Sequence, residues 1–219
     1  METKKRKRGR PPKVKWLKDG VLMDFVEPKD KIITEAIKLF NKKGFYGASI
    51  REIADAAGAT KPVIYYHYDS KEGLYKEIVS RALDEVYALH IEPIKFLHIK
   101  CATDILLDIA NSFFDWCSEN RARANLIIFM LTTRDPAFTD ICGQYMKKRN
   151  KILKPVFLKG VESGNIPFKD PNLALTAFNS LLIGFELLSS ALDTDLTCKT
   201  YARKAVDILL GNCEEQKDD

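Results

Sequence analysis

The sequence predicts an all-α protein. Apolar residues recur at three- and four-residue intervals from Lys29 onwards, as they do on one face of an α-helix. Residues that favour helix starts and ends separate these segments, and no alternating apolar and polar run bounded by hairpin turns favours a β-strand. The 219 residues, 46% hydrophobic and 30% charged, suffice for one or two globular domains and exclude wholesale disorder.

Residues 1–27 are predicted to be a basic extension. Residues 1–15 carry a net charge of +7 while the whole chain carries +5, so the remaining chain is nearly neutral at −2. Pro11 and Pro12 exclude a helix where they stand, whereas apolar residues between 16 and 25 leave a short helix open. A basic tail on a nearly neutral body is typical of a protein attracted to a polyanion.

The first predicted helix begins at Lys29 and ends at Lys43. Its apolar stripe, at i, i+3, i+4 and i+7, consists of Ile33, Ala36, Ile37 and Phe40. Gly44 follows, and glycine adopts the left-handed conformation that commonly ends a helix.

A second, shorter helix is predicted to begin after Ser49. Ser49 and Glu52 form a capping box, in which each side chain satisfies a backbone amide of the other residue. The apolar stripe covers barely two turns before Gly58 ends the helix, and it consists of Ile50, Ile53, Ala54 and Ala57.

Two further helices follow in close succession. Thr60 is predicted to cap the third, which tolerates Pro62 in its first turn because amides there lack helical partners, and which ends near Tyr68. Ser70 is predicted to cap a longer fourth helix, whose apolar residues include Leu74, Ile78 and Ala82.

The rest of the chain is also predicted to be helical, in segments 102–117, 121–133, 136–161, 171–191 and 198–211. The longest uncharged stretch, residues 171–185, has fifteen residues, fewer than the roughly 18–20 that a membrane span needs. The basic N-terminal segment has no apolar stretch after it and is not a secretory signal. We therefore expect a soluble, cytoplasmic protein without a membrane partner.

Residues 28–75 have the outline of a helix-turn-helix domain. Two helices this short are not stable alone, because helix nucleation is costly, and they need the first helix as a packing partner. That arrangement allows the last short helix to enter the major groove of DNA. A three-helix bundle without nucleic-acid function would use the same small and apolar residues, so the outline alone leaves both interpretations open.

The order of residues in this region resembles the N-terminal domain of the tetracycline-repressor (TetR) family of transcription regulators. The resemblance is carried by Ile33, Ala36, Leu39-Phe40, Lys43-Gly44-Phe45, Ala48-Ser49-Ile50, Ile53-Ala54, Ala57-Gly58-Ala59-Thr60-Lys61, Ile64-Tyr65, His67-Tyr68, Ser70-Lys71 and Leu74. It implies a homodimer of nine- or ten-helix subunits, each presenting one helix-turn-helix to half of a near-palindromic operator in double-stranded DNA. Residues 76–219 match the family only in helix content and length, and would form the effector-binding and dimerisation domain.

The resemblance also implies DNA-contacting residues. The residues implied to lie near base edges are Lys61, Pro62, Val63, Tyr66 and His67. The residues implied to contact phosphates are Tyr65, Lys71, Thr60, Ser49 and Arg51. Packing roles for Tyr65 and His67, and a merely solvated Lys71, remain open alternatives. Pro62 and Val63 replace the Gly and Thr common in the family, which leaves the base preference open.

The segment Arg8-Gly9-Arg10-Pro11 is similar to an AT-hook. In that motif arginines enter the narrow minor groove of A·T-rich DNA, where the negative potential is concentrated. Arg8 and Arg10 are therefore candidate DNA contacts. The alternatives are a solvated basic arm that adds non-specific affinity and, in a eukaryotic host, a nuclear localisation signal.

The C-terminal helices provide candidate ligand-binding and dimerisation residues. The ligand-pocket candidates are Phe113, Trp116, Phe129, Tyr145, Phe178 and Glu186. Aromatic residues at helical spacing also fit an ordinary core, which is the alternative. Residues 171–191 and 198–211 are apolar on more than one face, and this predicts a two-fold dimer built from both helices.

The predicted function is therefore that of a DNA-binding transcription regulator, a repressor released by an unidentified small-molecule effector. An architectural minor-groove protein without effector control is the alternative. An enzyme has little support, because the histidines His67, His90 and His98 stand in no recognisable catalytic setting, and we predict no catalytic residue, metal or cofactor. The five cysteines show no metal-site or redox spacing.

Overall fold

The computed structural model describes residues 28–133, 136–192, 194, 196 and 199–212. Within these residues it contains nine α-helices and no strand, which confirms the predicted all-α class. The helices are α1 (Pro28–Gly47), α2 (Ile50–Ala57), α3 (Lys61–Tyr68), α4 (Lys71–Ile94), α5 (Ala102–Glu119), α6 (Arg121–Thr132), α7 (Pro136–Glu162), α8 (Pro171–Leu192) and α9 (Lys199–Leu210).

The predicted ends of the first helices are close to the observed ones. Gly44 has φ of 71° and interrupts α1, and Gly58 has φ of 63° and ends α2. The predicted stripe of α1 packs in or against the core, and the structure adds Ile32, which is fully buried, to it. One local prediction was wrong. Thr60 stands at the start of α3, but its side chain makes no capping hydrogen bond.

Helices α1–α3 and the first turns of α4 form the head of the molecule, residues 28–75. The remaining described residues form its body. The apolar core of the head continues without a break into the body, where Tyr75 packs against Phe138 and donates a hydrogen bond from its hydroxyl to the carbonyl of Leu126 at 2.7 Å. The boundary predicted after residue 75 stays a prediction, since α4 passes through it unbroken.

A second apolar core lies in the body between α5, α7, α8 and α9. Phe114, Phe157 and Phe178 are fully buried there, and the rings of Phe157 and Phe178 lie 5.7 Å apart. Pro155 lies inside α7 without ending it. Packing in this core fixes the position of α8 against α5, α7 and α9.

Helix α8 is, among the helices that the structure describes, the one long and apolar enough by length and composition to cross a membrane. The uncharged residues 171–185 are too few for a membrane span, but a window that also includes the acidic Glu186 is long enough. A core helix of a soluble protein passes the same test, and Phe178, Leu182 and Glu186 face the interior.

Candidate nucleic-acid interface

Helix α3 is anchored by two residues and exposes most of the others. Ile64 is fully buried and Tyr68 is 7% exposed, which fixes the helix against the head. Tyr65 and Tyr66 lie on the opposite side, with 47% and 83% of their surface exposed, and Val63 is exposed as well. The packing role considered for Tyr65 does not fit this exposure. Beyond Lys61 at the start of the helix, the most exposed side chains on this face are therefore aromatic and apolar.

The N-terminus of α3 is open to solvent. Thr60, Lys61 and Pro62 are all exposed. The Thr60 hydroxyl does not cap the helix, whereas the Thr60 carbonyl accepts from the Val63 amide at 3.0 Å and Pro62 has no amide hydrogen. Helix N-termini favour anions such as phosphate. His67 is half-buried at the other end of α3, with its ring 5.1 Å from that of Tyr66.

The start of α2 is closed by its own side chains. The Ser49 hydroxyl accepts from the Glu52 amide at 3.2 Å, and the Glu52 carboxylate accepts from the Ser49 amide at 3.0 Å. Hydrogen bonds from Lys43 and then from Ser49 lower the pKa of Glu52 to about 2. Ser49 is thus engaged in capping, whereas the exposed Arg51 has only a distant ion pair, 3.9 Å from Asp55.

Lys71 is held inside the protein more firmly than the sequence predicted. Its ammonium donates a hydrogen bond to the Ala48 carbonyl at 3.2 Å and lies 4.6 Å from the centre of the Phe45 ring. It therefore ties the start of α4 to the start of α2. A phosphate contact by Lys71 stays a prediction, because the Ala48 carbonyl accepts from only one of the three N–H groups of the ammonium and the side chain is half-buried.

Gly73 is a residue that sequence reasoning missed. A Cβ atom at this position would lie 1.9 Å from the carbonyl oxygen of Tyr68, the last residue of α3. The Gly73 amide also donates to the Ser70 hydroxyl that caps α4. The sequence signal that could have indicated this role is the position of Gly73, three residues after the capping Ser70. Gly73 lets α3 end directly against α4 and so fixes the direction of the exposed face.

The body contains an apolar cavity beside α6. It has a volume of about 30 Å³, room for a few water molecules, and lies between α4, α5, α6, α7 and α8. Four of the six predicted pocket residues line it together: Phe113, Trp116, Tyr145 and Glu186. The other two do not. Phe129 packs against Phe45 of the head, and Phe178 lies in the second core. Aromatic spacing on one helix does not reveal which neighbour each ring meets.

The cavity wall contains buried polar groups. Glu186 is 1% exposed, and neither carboxyl oxygen has a hydrogen bond of normal geometry in the described part of the chain. Burial raises the pKa of Glu186, an effect that Cys117 and Arg121 partly offset. Burial also raises the pKa of the Cys117 thiol beside it, so this thiol stays protonated. Arg149 lines the same cavity and was not singled out from the sequence.

Some predictions cannot be examined in the structure. Arg8 and Arg10 of the AT-hook-like segment lie outside the described residues, as do Cys198 and Cys213. Among the residues that are described, no group of three or more His, Cys, Asp or Glu side chains is placed to hold a metal ion.

Comparison with known sequences gives a match centred on the head. Residues 32–78 match the profile described as bacterial regulatory proteins, tetR family. The chain is 29% identical over 136 residues to the probable HTH-type transcriptional regulator YttP of Bacillus subtilis, which is 62% of this chain and 65% of that protein. It is 43% identical over 56 residues to IcaR of Staphylococcus aureus, a negative transcriptional regulator of the biofilm operon icaADBC, covering 26% and 30% of the two chains. The chain thus spans less than two thirds of either relative.

Solved structures match over both head and body. The TetR-family regulator PfmR from Thermus thermophilus superimposes with a TM-score of 0.71 at 24% identity, over 85% of this chain and 100% of the other. FadR from Bacillus subtilis, solved in complex with stearoyl-CoA, gives 0.73 at 18% identity, over 84% and 98%. At these identities the match shows a shared fold.

Proposed function

We propose that the chain is a member of the TetR family of bacterial regulatory proteins, and that it is a sequence-specific DNA-binding transcription regulator that acts as a repressor. The observation that carries the proposal is the exposed face of α3. Tyr66 is 83% exposed although it is a large aromatic residue, while Ile64 and Tyr68 hold the helix rigidly. Proteins keep such residues at the surface where a partner covers them. A single helix of this kind fits the major groove of B-DNA.

The proposed contacts divide into two groups. Lys61, Pro62, Val63, Tyr66 and His67 would lie near base edges, where Lys61 can donate to guanine and Val63 can meet a thymine methyl. The Thr60 hydroxyl, the Tyr65 hydroxyl and Arg51 would contact phosphates, which fix register without reading sequence. Ser49 and Lys71 would also contact phosphates, while the Ser49 hydroxyl caps α2 and Lys71 ties α4 to the Ala48 carbonyl. Arg8 and Arg10 are proposed to add minor-groove contacts.

We further propose that the protein acts as a cytoplasmic homodimer, through residues 171–191 and 198–211. Apolar side chains on these helices remain exposed in the single chain: Leu173, Leu187, Leu188, Leu192 and Ile208. A monomer rarely leaves such a set in water, whereas a two-fold interface buries each of them twice. Two heads related by a two-fold axis would read the two halves of a near-palindromic operator.

Effector control is supported by the position of α6 between the cavity and the head. One side of α6 lines the cavity through Ile127, Ile128 and Leu131. The other side contacts α1, where the Asn41 amide donates to the Ala122 carbonyl at 2.9 Å. A ligand that displaces α6 would therefore move contacts made by the head. The protein would then act by binding and release, without catalysing a reaction.

The test is selection of an operator from a random duplex library, followed by fluorescence anisotropy with the selected duplex and a scrambled one. We expect tight, sequence-selective binding by a dimer, seen as two subunits per duplex in sedimentation. Tyr66→Ala and Lys61→Ala should each weaken selected-duplex binding by about ten- to a hundredfold, because one base contact contributes about 1–3 kcal/mol.

Lys169→Ala is the matched control, since Lys169 is also exposed and lies in the loop before α8. It removes the same charge as Lys61→Ala and should leave the affinity nearly unchanged. Equal binding to selected and scrambled duplexes would contradict the regulator and support the architectural role instead.

A further inference from the structure

Three polar side chains on three helices form a chain of hydrogen bonds from the body to the head, here called the polar bridge. The Ser190 hydroxyl of α8 donates to Oδ1 of Asn125 on α6 at 2.8 Å. The Asn125 amide donates to Oδ1 of Asn41 on α1 at 3.3 Å. The Asn41 amide then donates to the carbonyls of Ala122 on α6 and Ile37 on α1, both at 2.9 Å. The bridging residues are 65 and 84 positions apart in the sequence, so only the fold brings them together.

Asn125 is the centre of the polar bridge and uses both ends of its amide. Its oxygen accepts from α8 and its nitrogen donates to α1. An alanine at this position would break both bonds. An aspartate would keep the acceptor for Ser190 but would have no donor for Asn41, because an ionised carboxylate only accepts. The two bonds can therefore be removed together or one at a time.

A second contact holds the same end of α6 against α8. Arg121, the first residue of α6, donates to the Ser189 hydroxyl at 2.8 Å and to the Thr194 carbonyl at 3.3 Å. Ser189 is fully buried, and hydrogen bonds from a charged donor are stronger than neutral ones. Asn125 follows Arg121 by one helical turn. The start of α6 is thus fixed to α8 at two points, and the bond from Asn125 to α1 extends this attachment to the head.

The polar bridge begins beside the proposed dimer interface. Leu187, Leu188 and Leu192 are exposed apolar residues at the end of α8 that carries Ser190. Ser190 itself is half-buried and is turned towards α6 by its bond to Asn125. A partner subunit packed on these leucines would therefore be linked to the head through Ser190, Asn125 and α1.

We propose that Asn125 is a positioning residue, which sets the angle of each head relative to the dimer interface and thereby the half-site spacing that the protein accepts. The bond from Tyr75 to Leu126 holds α4 to the body, but a head held at α4 alone can rotate about that helix. Apolar contacts have no preferred direction, whereas hydrogen bonds do. The bond between Asn125 and Asn41 attaches a second helix of the head and so fixes the angle. The proposal rests on the proposed function, because it takes DNA as the ligand of two heads in a dimer.

The first test varies the spacing between the halves of the selected operator. One inserted base pair moves one half by about 3.4 Å and rotates it by about 35°, since a helical turn spans about 10.5 base pairs. Heads at a fixed angle cannot then engage both halves, and the parent should lose at least about tenfold in affinity. Asn125→Ala and Asn125→Asp should each lose less than about threefold on the same insertion, because their heads can follow the half-sites.

Asn150→Ala is the matched control. Asn150 accepts from the Asn179 amide at 3.3 Å, the same distance as in the bond between Asn125 and Asn41, but this contact joins α7 to α8 within the body. Both alanine variants lose an amide–amide bond and some free energy of unfolding, yet only Asn125→Ala should relax the spacing preference. Ser190→Ala keeps the bond from Asn125 to α1, so its effect should be intermediate.

The second test needs no DNA. A spin label attached through an unnatural amino acid in place of Lys61, which is exposed at the start of α3, leaves the native cysteines unchanged. The distance between the two labels of a dimer is then measured by pulsed electron paramagnetic resonance. The parent and Asn150→Ala should each give one narrow distance distribution, and Asn125→Ala and Asn125→Asp should give broader ones.

Several results would overturn the proposal. These are Asn125→Ala retaining the spacing preference of the parent, Asn150→Ala relaxing it equally, a parent that accepts both spacings equally, or label distances as narrow in Asn125→Ala as in the parent. A chain that stays monomeric would overturn it as well, since each head would have no partner to be aligned with. A parent that binds no duplex selectively, but whose label distances broaden in Asn125→Ala and not in Asn150→Ala, contradicts the regulator and supports the positioning of the heads.

Discussion

Unpaired polar groups lie at the surface of the head, whereas in the body several of them are buried. Thr60, whose hydroxyl makes no capping hydrogen bond, and Lys61 are exposed at the start of α3. In the body, Nε and Nη2 of Arg149 and both carboxyl oxygens of Glu186 have no hydrogen bond of normal geometry to the residues that the structure describes, although each residue is less than 5% exposed. Water satisfies the first set at little cost, so the head is stable before DNA binds. The second set is costly while its atoms stay unpaired, because burial removes them from water.

The largest expected effect concerns Gly73, at the junction where the end of α3 meets the start of α4. Gly73→Ala places a methyl group 1.9 Å from the Tyr68 carbonyl, and backbone cannot yield as a flexible side chain can. We expect a loss of about 1–3 kcal/mol of unfolding free energy in chemical denaturation, and loss of operator binding because α3 must turn. Gly143→Ala is the control, since a methyl group there meets nothing within 4 Å and should stabilise α7 by about 0.5–1 kcal/mol. A Gly73→Ala variant that bound operator normally would contradict this role.

The head could be predicted closely because its determinants are near in sequence. Ser49, Glu52 and Gly58 specify α2 within ten positions, and both its ends were predicted correctly. The role of Lys71 was not predictable in the same way. Its partner is the carbonyl of Ala48, and only the packing of α4 against α2 brings the two together.

The cavity could be predicted only in part, since it depends on which faces of five helices meet. Phe113 and Phe178 are the same residue type on apolar helices, yet one borders the cavity and the other fills the second core. Glu186 could be predicted as a pocket residue, because it is a charged residue within an apolar helix. Arg149 did not, because α7 is rich in lysine and nothing in the sequence separates the one buried cation from exposed ones such as Lys148 and Lys151.

An intermediate effect is expected from removing the charge of Glu186. Burial raises its pKa, so the folded protein holds a proton that the unfolded chain loses as the pH rises above about 4.5. Stability contributed by this group is therefore present at low pH and is lost as the pH rises through the folded-state pKa. Glu186→Gln should be more stable than the parent by about 1–3 kcal/mol at pH 8, with the difference shrinking towards pH 5. Chemical denaturation across this pH range measures it.

The exposed Glu119 provides the comparison for this trend, because Glu119→Gln removes a carboxylate from the end of α5 without relieving any burial. It should show no growing advantage with pH. A Glu186→Gln variant less stable than the parent at pH 8 would mean that a partner stabilises the carboxylate. The polar groups of the body would then be satisfied, as those at the surface of the head are satisfied by water.

The smallest expected effect is a difference in unfolding free energy between two substitutions in the head, at Ser49 and at Thr60, which precede α2 and α3. Ser49→Ala removes the hydroxyl bonded to the Glu52 amide and should cost about 0.5–2 kcal/mol of unfolding free energy. Thr60→Ala removes a hydroxyl without a capping bond and should cost less, while weakening operator binding if that hydroxyl contacts phosphate. Denaturation and anisotropy on the same two variants distinguish a group used for folding from one held for DNA. Equal losses of stability would show that the Thr60 hydroxyl stabilises the fold. It would then not be a group that is held free for DNA.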